Sequence, residues 1–202
     1  MTARANIVTG GFSDPVFDSQ HVFRALMDGM ARPGSIQSFE LPIRPPSPLN
    51  IAAGGILLTL CDHDTPVWLS SLAAKSLVPS WLSFHTGAVL AQEKSEARFA
   101  VIEIGSALSS FDLFAQGTQE YPDRSATLLI EVPDMENGPA MRLTGPGIQT
   151  SKTISPSGLP DLFERLWNEN RAAFPRGVDV ILTCGNHFLC LPRSTGITMM
   201  EA

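Results

Sequence analysis

An alternation of helix-like and strand-like segments along the 202-residue chain constrains its fold most strongly. Apolar residues at helical spacing predict helices over residues 14–32, 49–61, 76–85, 108–114 and 159–174. Short runs rich in β-branched residues predict strands over residues 65–69, 98–104, 127–132, 140–143 and 178–183. The turn Gly185-Asn186 predicts a hairpin from the last strand to a partner over 187–191. We therefore expect an α/β fold in which helices pack on a central sheet, and the hairpin makes that sheet mixed.

The most regular pattern in the chain is GFSDPVFDSQHVFRALMDGMARPGSI, residues 11–36. Asp14 is a good N-cap, Pro15 suits the first helical turn, and Pro33-Gly34 ends the helix. Its predicted apolar face consists of Phe17, Val22, Phe23, Leu26, Met27 and Met30. The stretch contains no nucleophile–base pair and no set of metal ligands, so the pattern predicts a helix with defined ends.

Composition limits the compartment and the class of partner. The 14 basic and 20 acidic residues give a net charge of −6, which argues against broad binding to nucleic acid or to anionic membranes. The N-terminus has no apolar run typical of a signal peptide, and the longest nearly apolar stretch, residues 51–61, is too short to span a bilayer. Three scattered cysteines without a CxxC motif fit a reducing compartment, so we expect a cytoplasmic protein. Without internal repeats or long linkers, we expect one domain over residues 1–202.

Residues that could carry catalysis or bind a metal are isolated from one another. His63 lies between Asp62 and Asp64, but neighbouring side chains of an extended segment point to opposite faces, so a solvated turn is favoured over a metal site. Cys184 lies near His187, yet no third residue marks an activated nucleophile. No lysine is placed as a Schiff-base lysine would be. The residues themselves therefore predict neither a catalytic set nor a metal site.

Arginines and one glycine turn are the better candidates for binding. Eleven of the 14 basic residues are arginine, whose planar side chain suits phosphate and carboxylate groups. Arg24 lies on the first helix, Arg32 at its end, and Arg193 in the turn LPRST that follows the hairpin. Gly145 and Gly147 form the turn LTGPGI, where backbone N–H groups could face an anion, although the proline between them removes one. Solvated arginines and a purely structural turn are the default interpretation, and these five residues are the candidates if the chain binds an anion or a partner.

Four segments, in order and spanning nearly the whole chain, resemble one family. Besides residues 11–36, they are LCDHDTPVWL (60–69), GTQEYPDRSATLLIEV (117–132) and the run RLTGPGI…AAFPRGVDVILTCGNHFLCLPRST (142–195). Together they resemble the PhnH family, one of the components of the bacterial carbon–phosphorus lyase system. Gly29 and Ser194 depart from the alanine and threonine more usual in that family, and neither change alters the pattern.

The resemblance implies a fold, partners and a function. The implied fold is a three-layer α/β/α domain related to the pyridoxal-phosphate-dependent transferases but lacking the cofactor. The implied partners are the G, I and J subunits of a core complex, and the implied state of the isolated protein is a homodimer. With partner subunits, the family is associated with forming ribose 1-methylphosphonate 5-triphosphate from ATP and methylphosphonate, and the I subunit is regarded as the catalytic component.

Two functions therefore remain open from the sequence. The first is a structural or accessory subunit of the carbon–phosphorus lyase core complex, which fits the absence of a catalytic set. The second is an independent enzyme that binds an anion or a nucleotide at an arginine-lined site. Aromatic residues such as Trp68, Trp81 and Trp167 are candidate interface anchors, and core packing is the alternative for them.

Overall fold

The computed structural model describes residues 7–160 and 162–200. Its strands are β1 (Gln37–Ser38), β2 (Val67–Leu69), β3 (Phe99–Ile102), β4 (Thr127–Glu131), β5 (Met141–Thr144), β6 (Lys152–Ile154), β7 (Asp179–Cys184), β8 (His187–Leu191) and β9 (Gly196–Met199). Its helices are α1 (Pro15–Ala31), α2 (Ile51–Leu60), α3 (Ser71–Ala74), α4 (Val78–Thr86) and α5 (Phe163–Ala172).

In the described part of the chain, the central sheet has six strands in the order β1-β8-β7-β4-β3-β2. Strands β2, β3, β4 and β7 run parallel, so their carboxyl ends meet at one edge of the sheet. The hairpin predicted from Gly185-Asn186 joins β7 to β8 in antiparallel pairing, and β1 adds antiparallel to β8. A second, antiparallel sheet has the order β6-β5-β9.

Side chains alternate between the two faces of the central sheet, and each face has its own core. The first face contacts α1, α2 and α4 through buried Val67, Val101, Leu129, Ile181, Phe188 and Cys190. The second face contacts α5 and the small sheet through buried Ala100, Ile102, Leu128, Ile130, Val180, Leu182 and Leu189. The α/β class and the mixed sheet are confirmed. The second outer layer differs from a purely helical one, because it combines a helix with an antiparallel sheet.

The first helix forms with its predicted ends, but its predicted apolar face is only partly buried, since Phe17, Phe23 and Met27 are exposed. The Asp14 side chain accepts a hydrogen bond from the backbone N–H of Phe17 at 3.3 Å, and Pro15 occupies the first helical position. Gly29 lets α1 pack closely on β8, because a Cβ there would lie 2.9 Å from Sγ of Cys190. Helix α1 ends at Ala31, where Arg32 leaves the helical conformation before Pro33.

The short helix predicted over residues 108–114 is wrong, since the chain turns there without forming a helix. Gln116 explains the difference: its side-chain N–H groups donate to the carbonyl oxygens of Phe111 at 2.8 Å and of Phe114 at 3.3 Å. Both phenylalanines are buried, and Phe111 contacts the rings of Phe163 and Trp167 edge-on. The apolar residues that suggested a helix therefore serve the second core from an irregular loop.

Strands β1, β6 and β9 were not predicted from the sequence. They are short, and β6 and β9 pair with β5 from opposite sides. None of the described helices is long and apolar enough to cross a membrane.

Candidate functional sites

Helix α1 exposes a second apolar face beside the one that it buries. Val22 and Leu26 pack into the first core, whereas Val16, Phe23 and Met27 are 73%, 47% and 56% exposed. The three exposed residues are seven and four positions apart and therefore form one stripe along the helix, here named the α1 stripe. Large apolar side chains grouped on one exposed face are typical of a protein contact surface.

Arg24 and Arg32 both lie on the exposed side of this region but in different settings. Arg24 follows Phe23 and is exposed at the side of the α1 stripe. Arg32 is the C-cap of α1, and its Nη2 lies 2.6 Å from Oδ2 of Asp28, in an ion pair whose side chains are both 61% exposed. A pair exposed to this extent contributes little to stability.

The glycine turn predicted at residues 145–147 packs directly against the end of α1. Its backbone has φ of +124° at Gly145 and +81° at Gly147, which favours glycine at both positions. A Cβ on Gly147 would lie 2.2 Å from the carbonyl oxygen of Ala31, so only glycine fits there without movement. Because of this contact, Arg32 and Gly147 line one open groove of about 400 Å³, here named the Arg32 groove.

The Arg32 groove contains a cation that the sequence did not single out. Lys152, the first residue of β6, lines it together with Ser35, and both are close to the turn of Gly147. The exposed Lys152 side chain adds a second positive charge beside that of Arg32, which is paired with the exposed Asp28 carboxylate. A groove with two cations, hydroxyl groups and a glycine turn has the chemistry of an anion-binding surface.

Arg193 lies apart from the Arg32 groove and is held by this chain's own groups. Its Nε donates to Oδ1 of Asp179 at 3.1 Å, and its Nη2 donates to Oδ2 of Asp179 and to Oγ of Ser125. Its Nη1 donates to the carbonyl oxygens of Pro122 at 2.8 Å and of Pro175 at 3.4 Å. The Arg193 and Asp179 side chains are only 14% and 15% exposed. Arg193 thus connects the start of β7 to its own turn, to the loop of Pro122 and Ser125 and to the loop of Pro175.

A pocket with two carboxylates lies where the parallel strands end. Glu103 follows β3, Glu131 ends β4, and Thr183 lies opposite Glu131 in β7. Asn50, the N-cap of α2, bridges the last two, because its Nδ2 donates to Oε1 of Glu131 at 3.1 Å and to Oγ1 of Thr183 at 3.0 Å. Glu103 is 5% exposed, and its Oε1 accepts the backbone N–H of Leu72 at 2.9 Å. We name this site the edge pocket.

The sequence contains a signal for the edge pocket, but local patterns do not show that its two glutamates are neighbours. The predicted strands RFAVIEI and TLLIEV each place a glutamate at or beside the carboxyl end. In open α/β sheets, functional groups concentrate at that edge. The two glutamates become neighbours only once β3 and β4 are known to be parallel and adjacent, and the sequence analysis therefore missed them.

Comparison with known proteins decides the family. The family model described as "Bacterial phosphonate metabolism protein (PhnH)" matches residues 10–198. The chain belongs to the PhnH family. A curated PhnH relative from Rhizobium meliloti (strain 1021), named "Alpha-D-ribose 1-methylphosphonate 5-triphosphate synthase subunit PhnH", is 54% identical over 195 residues, covering 96% of this chain and 98% of the relative. A "Putative C-P lyase subunit protein HtxG" from Stutzerimonas stutzeri is 40% identical over 86 residues, covering 43% and 44% of the two chains.

In this member of the PhnH family, the described residues include no group of three or more His, Cys, Asp and Glu side chains that could hold a metal ion. Asp62, His63 and Asp64 lie on an exposed turn, as the solvated-turn interpretation predicts. Burial raises the pKa of the Cys61 and Cys190 thiols to about 12. Burial, with Asp134 and Glu131 nearby, also raises the pKa of Cys184, which disfavours the nucleophilic thiolate.

Proposed function

We propose that this chain is a subunit of the bacterial carbon–phosphorus lyase machinery. With partner subunits, it takes part in forming ribose 1-methylphosphonate 5-triphosphate from ATP and methylphosphonate. The observation that supports this proposal is the 54% identity to a named synthase subunit across 96% of the chain. Its role is structural or accessory, because the cysteines and histidines in the described residues form no activated nucleophile or metal cluster.

The proposed partners are the G, I and J subunits, and the chain on its own forms a homodimer. The α1 stripe is the contact surface that we assign to these assemblies, with Arg24 at its polar rim. Interfaces place exposed Phe and Met at their centre and charged residues around them, which is the arrangement on α1. The three free cysteines fit a cytoplasmic location.

The subunit proposal is tested by co-expression with the G, I and J subunits of the same host, followed by affinity capture and sizing chromatography. The wild-type chain is expected to elute with its partners. Elution apart from them at micromolar concentration would overturn the proposal. Expressed alone, the chain is expected to have twice its 21.8 kDa mass by light scattering.

The contact surface is tested separately. Phe23→Ser with Met27→Ser is expected to weaken the assembly at least about tenfold, because anchors of this kind typically contribute about 2 kcal/mol or more. Leu113→Ser is the matched control, since Leu113 is 46% exposed but lies outside α1. If the double variant keeps its far-UV spectrum and still co-elutes like the wild type, the α1 stripe is not the contact surface, whereas the subunit proposal stands.

A second proposal assigns phosphate binding to the Arg32 groove. Arg32, Lys152 and the Gly147 turn line it together, and the R. meliloti relative is named for a triphosphate product. Calorimetric titration with inorganic triphosphate is expected to show binding that weakens at least about tenfold in Arg32→Gln/Lys152→Gln, because charge-assisted hydrogen bonds typically contribute about 1.5–3 kcal/mol. Arg44→Gln, an exposed arginine outside the groove, is the control. Absence of binding to the wild type at millimolar triphosphate would overturn this assignment.

A further inference from the structure

The two carboxylates of the edge pocket lie in an electrostatically unfavourable environment. Oε2 of Glu103 is buried and has no hydrogen-bond partner within the described residues. Glu103 and Glu131 directly follow the paired residues Ile102 and Ile130 on adjacent parallel strands and line the same pocket, so their negative charges repel. A buried carboxylate oxygen without a donor is costly, and a second carboxylate beside it increases the cost.

No residue that lines the edge pocket in the described part of the chain supplies a positive charge to offset the two carboxylates. In the described part of the chain, the edge pocket is lined by Pro48, Leu49, Asn50, Ala53, Val101, Glu103, Leu129, Glu131 and Thr183, none of which is basic. From α2 the pocket receives the Asn50 amide, and from α3 the Leu72 N–H. From β7 the pocket receives the Thr183 hydroxyl. The Cys184 thiol lies near both Glu131 and Asp134.

The remaining space in the pocket is about 10 Å³, which is the size of one water molecule. A divalent cation with its usual water ligands does not fit there. A proton on one carboxyl group needs no such space, and it gives Oε2 of Glu103 the hydrogen-bond donor that this atom lacks.

We propose that Glu103 and Glu131 form a proton-binding pair at the carboxyl edge of the sheet, in which the Glu131 carboxyl donates its proton to Oε2 of Glu103 directly or through one water molecule. The remaining Glu131 lone pairs accept from Asn50 and from the backbone N–H of Ile104. Burial, with the charge of Glu103 nearby, raises the pKa of Glu131 above its ordinary 4.5, in agreement with this placement of the proton.

The protonated pair and its hydrogen bonds connect four secondary-structure elements. Through Glu131 and Asn50 it connects the end of β4 to the start of α2, and through Glu103 and Leu72 it connects the end of β3 to α3. Loss of the proton leaves two facing carboxylates at this junction. Because the folded state binds this proton more tightly than the unfolded chain, the pair stabilises the fold at low pH, and that stabilisation is lost as pH rises through the folded pKa.

Urea unfolding between pH 4.5 and pH 8 tests the pair in the full-length protein. The wild-type folding equilibrium constant is expected to fall relative to that of Glu131→Gln as pH rises, by at most about tenfold per pH unit for one proton. Glu103→Gln removes the facing charge and is expected to move the fall to lower pH. Glu120→Gln, at an exposed glutamate, is the control and keeps the wild-type profile. Parallel profiles of the wild type and Glu131→Gln would overturn the proposal.

Two further measurements separate other outcomes. If Na⁺ or Mg²⁺ at constant ionic strength stabilises the wild type but not Glu103→Gln, a metal cation occupies the pocket and the proton proposal is wrong. Carboxyl ¹³C resonances of labelled wild-type protein provide a readout that needs no variant to fold. One glutamate resonance is expected to report a pKa above the ordinary value of 4.5, and ordinary titration of every glutamate would contradict the pair.

Discussion

At the scale of single residues, the sequence identifies reactive side chains but not what they contact. Arg24, Arg32 and Arg193 are equivalent candidates for an anion site when only their local patterns are known. In the structure, Arg193 contacts Asp179, Ser125 and Pro122, which are 14, 68 and 71 positions away in the chain. Contacts at such separations follow from the arrangement of β7 and the loops around it, so the local pattern LPRST could not reveal them.

The Arg193 network predicts a specific loss of stability. In Arg193→Lys the charge remains, but the two-point contact with Asp179 and the bonds to Ser125 and Pro122 cannot all be made by an ammonium group. We expect the free energy of unfolding to fall by about 1.5–3 kcal/mol, the range for hydrogen bonds to charged groups, measured by urea denaturation.

Arg32→Lys is the matched control for that prediction. Its partner Asp28 is exposed, so the same chemical change should alter the free energy of unfolding by less than about 1 kcal/mol. Similar losses in both variants would show that the Arg193 network contributes no more than a surface pair.

At the scale of elements, the sequence predicts those whose local pattern is complete. Helix α1 has its own cap, its own apolar spacing and its own proline stop, so residues within one segment determine it. Strand β6 reads KTI and is three residues long, and it is a strand because β5 pairs with it. The loop over residues 108–114 shows the converse, since a helix-like pattern is overridden by the Gln116 side chain.

The residues of the candidate sites also divide into those that local patterns predict and those that only strand pairing brings together. Arg32 and Gly147 were predicted from local patterns, and both line the Arg32 groove. Lys152 has polar neighbours in the sequence that do not distinguish it, and it joins the groove only because β6 pairs with β5 behind the Gly147 turn. Glu103 and Glu131 lie at the ends of predicted strands, but their proximity depends on the order of the strands in the sheet.

At the scale of the whole molecule, two cores share one sheet. Neighbouring residues of β4, such as Leu128 and Leu129, point into opposite cores, and the same is true of Leu189 and Cys190 in β8. Neither core can lose its packing without exposing one face of the same strands. We propose on this basis that residues 1–202 form a single domain that unfolds as one unit.

Tryptophan positions allow this last prediction to be tested core by core. Trp81 is fully buried in the first core, whereas Trp167 and the partly buried Trp68 belong to the second. In Trp68→Phe/Trp167→Phe, fluorescence reports the first core, and in Trp81→Phe it reports the second. Within each variant, we expect the urea midpoint from fluorescence to coincide with that from far-UV circular dichroism, because the shared sheet makes unfolding all-or-none. Separate midpoints in either variant would mean that one core unfolds while the other remains, and the chain would then contain two cooperative units.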